Sequence, residues 1–191
     1  MKKLSVIALI CLAGMTALRA DIIPSFAFTS PGSGTNTVWN YTIDITSNQQ
    51  VTAGDFFTIY DFGPFIAGSA FAPAGWTFSS ALSTPPPMGT VPPDNPTLAD
   101  LTWTYTGVNT LPSGTHLGPF GVTQPTSAFA ETPSTHTGFF AASATRNDGS
   151  NTKINNVGQV PVPVPVPEPT TMSLLALAGI GSALRAMRRR K

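Results

Sequence analysis

The chain has 191 residues, a formal net charge of +1 and only 10 % charged residues, a size that suits one small domain with short appendages. By position the charge divides into +3 over residues 1–20 (Lys2, Lys3, Arg19), −6 over residues 21–159, where Arg146 and Lys153 oppose eight acids, and +4 over residues 160–191. With its dense basic cluster confined to residues 185–191 and an acidic middle, the composition excludes a nucleic-acid-binding face and argues against a cytosolic protein.

Residues 1–20 read as an export signal. Met1, Lys2 and Lys3 precede an apolar run at residues 4–18, and Ala20 supplies the small residue before cleavage. The bond expected to be cut joins Ala20 to Asp21, so that Asp21 becomes the first residue of the mature chain. Fifteen apolar residues are short for a spanning helix, which needs about 20. The competing readings are an uncleaved anchor and a buried core helix. Cys11, the sole cysteine, lies inside this run and follows Ile10, where a lipoprotein signal requires a small residue. The mature chain then holds no cysteine, so disulfides and cysteine-ligated metals are excluded.

Residues 21–159 are expected to form one exported domain, long enough to bury a core. Trp39, Tyr41, Ile43 and Ile45 alternate with Asn40, Thr42, Asp44 and Thr46, and Leu101, Trp103 and Tyr105 alternate with Thr102, Thr104 and Thr106. A period of two marks half-buried strands. Further strands are predicted at 25–29, 55–60, 75–79, 118–123 and 138–145, separated by Gly/Pro-rich turns at 30–34, 84–96, 111–114 and 146–149. The expected fold is therefore all-β, an antiparallel β-sandwich of immunoglobulin-like or jelly-roll topology. An N-terminal signal helix and a single C-terminal transmembrane helix flank it. The two Trp-x-Tyr-Thr segments admit a duplicated half-domain or, more simply, two aromatic strands meeting in one core.

Chemistry is sparse in this segment. His116 and His136 are the only histidines and have no carboxylate at ligand spacing, and no Gly-x-Ser-x-Gly elbow occurs. Asp55 and Asp61 lie six residues apart around an apolar run. On one strand they would share a face, as a calcium or glycosidase pair requires, unless they simply mark the strand's polar ends. Phe65, Phe71 and Trp76 are candidates for stacking on sugar rings, set against ordinary core packing. Thr102, Thr104 and Thr106 on one face are the single hint of an ice-binding array. No catalytic, cofactor-binding or metal-ligating residue is assigned.

Residues 160–169 read VPVPVPVPEP, a proline alternation expected to form a polyproline II spacer. An apolar stretch follows at 170–184, and then Arg185, Arg188, Arg189, Arg190 and Lys191. Fifteen helical residues reach only ~23 Å of a ~30 Å hydrocarbon core, so this is a marginal, transient membrane anchor. Its basic end acts as the stop-transfer tail and stays cytoplasmic. Pro-Glu-Pro at Pro167, Glu168 and Pro169, a short apolar helix and a terminal arginine cluster together resemble the PEP-CTERM sorting signal of bacterial exported proteins. The resemblance covers the last 26 or so residues. It implies an exosortase-type membrane transpeptidase as partner, recognition through Pro167, Glu168 and Pro169, and cleavage near them.

The expected function is that of a non-enzymatic cell-surface or extracellular-matrix protein, associated with exopolysaccharide or biofilm. It would be anchored in the inner membrane as a precursor and then released. The alternatives are an ice-binding or carbohydrate-binding secreted module and a secreted hydrolase. Neither a cofactor nor a nucleic-acid partner is expected.

Overall fold

A computed structural model describes residues 22–125 and 135–163. The expected signal helix lies outside the described residues. So do Ala20 and Asp21, the two residues flanking the predicted cleavage point; the first strand begins at Ile22, directly after Asp21. Pro167, Glu168, Pro169, the anchor and the basic tail are likewise outside them. Among the described residues no helix is long and apolar enough to cross a membrane.

Among the described residues nine strands are formed: β1 (Ile22–Pro31), β2 (Thr37–Ile45), β3 (Gln49–Gln50), β4 (Phe56–Ile59), β5 (Trp76–Ala81), β6 (Asp100–Tyr105), β7 (His116–Gln124), β8 (Thr135–Arg146) and β9 (Lys153–Pro163). All pair antiparallel, in two sheets. The first is ordered β1-β2-β7. In the second, β5, β6, β4 and β8 are neighbours, β3 pairs with the end of β8 at Thr145 and Arg146, and β9 pairs with β8 over its whole length.

The alternation read from the sequence decides which side chains face inward. Trp39, Tyr41, Ile43 and Ile45 of β2 join Phe57 and Ile59 of β4, Leu101, Trp103 and Tyr105 of β6, and Phe120 and Val122 of β7 in one buried cluster. Phe120 carries the contact between sheets. Its ring meets Phe57 and Trp76 edge-on at 5.1 Å, while Phe57 stacks on Trp103 at 5.1 Å and 18°. The two Trp-x-Tyr strands thus lie in different sheets and feed one core, the simpler of the two readings.

The loop between β4 and β5 closes the free edge of β7. Phe71 and Gly121 exchange backbone hydrogen bonds of 2.9 and 3.1 Å, and the Ile66 amide donates to the Thr123 carbonyl. A Cβ on Gly121 would stand 2.1 Å from the Trp39 carbonyl oxygen and 2.5 Å from the Phe71 ring, so only glycine allows this approach.

Two observations depart from the sequence expectation. Strand β9 has no counterpart among the predicted strands, and it runs through Pro163, four residues into the segment expected to be polyproline II. Val160 and Val162 are buried in the core on its inner side. Prolines are tolerated there because, among the described residues, β9 pairs only with β8 and its other edge has no ladder to donate to. The second concerns the 84–96 stretch, which is more than a turn. The loop at 82–99 folds over the outer face of the second sheet, where Asn155 of β9 donates to the Met88 carbonyl at 2.9 Å. Beneath it Thr58 and Ala141 are fully buried and Ser143 nearly so.

Candidate functional site

The sequence-derived candidates separate in space. Asp55 and Asp61 do not form a pair: β4 spans only Phe56–Ile59, with Asp55 before it and Asp61 two residues beyond its far end. The calcium or glycosidase pairing of these two is therefore corrected.

Asp55 is fully buried and completely satisfied. Its Oδ2 accepts from the Thr52 amide (2.7 Å), the Thr52 hydroxyl (3.2 Å) and the Thr145 hydroxyl (2.9 Å), and its Oδ1 accepts from Lys153 Nζ (2.5 Å). Lys153 Nζ also donates to the hydroxyls of Thr145 (2.8 Å) and Thr52 (3.3 Å). The arrangement joins β4 to the β8–β9 hairpin, and it is structural: both carboxylate oxygens already have donors.

Asp61 belongs to an acidic corner. With Asp94 from the covering loop and Asp100 at the start of β6, it forms a group whose oxygens lie within 4.8 Å of one another. The register explains the meeting. Ile59 pairs with Leu101, and Ala81 pairs with Asp100, so the end of β4, the end of β5 and the start of β6 converge. Asp61 takes the left-handed conformation (φ 57°) and its amide donates to Asp100 Oδ1 at 3.1 Å. Asp61 Oδ1 accepts from the Asn95 amide at 2.8 Å, and Asp94 Oδ2 accepts from the Ser83 hydroxyl at 3.0 Å.

Burial raises the Asp61 and Asp100 carboxyls above the ordinary carboxylate range. The Asn95 amide opposes the shift at Asp61, the Asp61 amide and the neighbouring Thr84 oppose it at Asp100, and the charge of Asp94 reinforces it at both. None of the three ion pairs among the described residues includes any of these acids.

His116 has a carboxylate partner that spacing could not reveal. It stands opposite Asp44 in the β2–β7 register, with Nδ1 2.8 Å from Asp44 Oδ1, both side chains more than half exposed. The candidate sugar-stacking aromatics serve packing instead. Trp76 is buried against Phe57, Phe120 and Tyr105, Phe65 meets Phe78 edge-on, and Phe71 packs over Gly121. The threonine face of β6 is not a flat exposed array either. Thr102 is half-buried and hydrogen-bonded to the buried Thr58 hydroxyl at 2.8 Å, and Thr104 is half-buried too.

Comparison with known families is decisive for the tail. Residues 165–191 are a PEP-CTERM protein-sorting motif. The motif spans Pro167, Glu168, Pro169 and the arginine cluster, and starts two residues after the end of β9. A PEP-CTERM motif implies export by way of a membrane-anchored precursor and processing by an exosortase. No curated protein matches the chain. Among solved structures, the domain is similar to ACE19, the collagen binding subdomain of the Enterococcus faecalis surface protein ACE. The identity is 8 % and the TM-score 0.36, with coverage of 75 % of this chain and 96 % of that one.

Proposed function

We propose that the chain is a non-enzymatic protein of the cell surface or extracellular matrix, delivered there by its PEP-CTERM tail and contacting exopolysaccharide or neighbouring cells. The observation that carries the reading is the sorting motif at 165–191, placed directly behind the last strand of the domain. A motif of that kind is a substrate for a membrane enzyme, so Pro167, Glu168 and Pro169 act as recognition residues. The basic end, Arg185 to Lys191, holds the precursor in the membrane. At the other end, removal of the export signal between Ala20 and Asp21 leaves a mature chain that enters β1 after a single residue.

The non-enzymatic part of the reading is supported by how the candidate groups are engaged. Asp55 is saturated by Thr52, Thr145 and Lys153, and His116 forms an exposed pair with Asp44 on the outside of a sheet. The ice-binding alternative loses its motivation, because Thr102 and Thr104 are half-buried and Thr102 bonds to Thr58, which leaves no flat exposed threonine array on β6.

The test compares the full chain with a form lacking residues 167–191 in an exosortase-bearing bacterium. The full chain is expected as a precursor in the membrane fraction and a shorter product at the surface or in the medium. The truncated form should show no such conversion. Unchanged secretion and release after the deletion would overturn the sorting claim. Turnover in a glycan or ester hydrolysis screen of the purified protein would overturn the non-enzymatic one.

A further inference from the structure

We propose that Asp61, Asp94 and Asp100 bind a calcium ion that fastens the 82–99 loop to the end of the second sheet. Three carboxylates with ligand oxygens within 4.8 Å of one another match a calcium sphere, in which oxygens at 2.3–2.6 Å stand up to about 5 Å apart. Magnesium demands near-ideal octahedral geometry and sheds its waters reluctantly, whereas calcium accepts an irregular group of carboxylates.

Charge alone does not make a site, and a second observation bears on this one. Asp100 is 0 % exposed and its Oδ2 has no donor in hydrogen-bond geometry. The Tyr60 hydroxyl, from the residue that precedes Asp61, is also buried (1 % exposed) and unpartnered. Leaving a carboxylate oxygen dry and unpaired is costly. The same fold shows how it treats a carboxylate used purely as structure: Asp55 receives a lysine, two hydroxyls and an amide. Asp100 has the Asp61 amide and the neighbouring Thr84 but, unlike Asp55, no cation among the described residues.

The three ligands come from three parts of the chain. Asp61 follows β4, Asp100 opens β6, and Asp94 is an exposed residue of the loop itself, through which water completes the coordination. Calcium therefore joins loop to sheet at the loop's returning end. Its other anchor is the Asn155–Met88 hydrogen bond at the opposite side of the sheet. The Ser83 to Asp94 hydrogen bond already closes the loop upon itself, which limits the ordering that binding has to supply. With three carboxylates and an open side, the site falls among extracellular modules, at Kd of about 10⁻⁴–10⁻³ M.

The test uses the full chain, purified in mild detergent and stripped with EGTA. Isothermal titration with calcium chloride is expected to give a Kd in that range. At 10 mM calcium the melting temperature should rise by about 5 °C. Asp94→Asn, an exposed change that relieves charge repulsion in the stripped protein and so should not lower its melting temperature, should weaken binding at least tenfold. Asp44→Asn, an exposed acid outside the corner, should leave it unchanged. Absence of any response to 10 mM calcium overturns the proposal. So does an equal response to magnesium, an unaltered affinity in Asp94→Asn, or an equal loss in Asp44→Asn.

Discussion

The Tyr41 hydroxyl, on β2 of the first sheet, donates to the Pro161 carbonyl on β9 of the second at 3.0 Å. Pro161 has no amide to give the ladder, but its carbonyl ties the proline-containing end of β9 to the core from the opposite sheet. Tyr41→Phe should cost about 1 kcal/mol, measured by urea unfolding, since the Pro161 carbonyl loses its donor while the packing of the buried ring survives.

The same residue predicts an alkaline limit. Burial raises the Tyr41 pKa above its ordinary 10.0, so the folded state disfavours the phenolate. The corresponding stability is complete below pH 10 and is lost as pH rises above it, because unfolded chains ionise there and folded ones do not. Thermal unfolding between pH 8 and 11 should fall more steeply for the native chain than for Tyr41→Phe.

Lys153→Met removes the cation from a buried carboxylate. Since Lys153 is half-exposed, the cost should lie near 2–3 kcal/mol, at or just below the range for fully buried pairs. Denaturant unfolding measures it, and adding Asp55→Asn should recover part of the loss by removing the uncompensated charge.

At the sheet interface, Phe120→Ala should destabilise by about 3–5 kcal/mol, because three rings lose the partner they close upon. The neighbouring Gly121→Ala adds one methyl group and should still cost about 3 kcal/mol, since the obstruction is the Trp39 backbone carbonyl rather than a side chain that can turn aside.

Removal of both basic ends changes the sign of the protein. The precursor carries +1, whereas the segment at 21–159 carries −6. Isoelectric focusing of the released product should show a strongly acidic species, and retention of the basic tail, which brings the charge to −2, would appear as a distinctly less acidic form.

The strands that can be read in advance are those whose alternation is uninterrupted. Trp39 to Ile45 and Leu101 to Tyr105 announce both period and buried face, and both lie in the core as expected. Strand β9 cannot be read this way. Asn155, Asn156, Gly158 and two prolines interrupt its pattern, and its burial depends on Val160 and Val162 meeting a sheet assembled elsewhere. The polar groupings are hidden for a related reason. Lys153 lies 98 residues from Asp55 and His116 lies 72 from Asp44, separations at which spacing carries no information. Asp94 and Asp100 are near in sequence, but Asp61 joins them only through the β4–β6 register. The tail is the most legible part, because three adjacent elements there form one linear signal.

Strand β9 also sets how the domain stands on whatever holds it. Val162 is in the core, and Pro167 follows five residues later, a gap of at most about 18 Å even when fully extended. A chain held at Pro167 therefore keeps Val162 within that distance of the point that holds it. Running back from that point, the eleven residues of β9 measure about 35 Å. A molecule held by its tail accordingly turns the β8–β9 hairpin tip, residues 147–152, away from its support, while the acidic corner stays at the near end, beside the start of β8. The direction in which this domain meets its surroundings is thus written into a single edge strand.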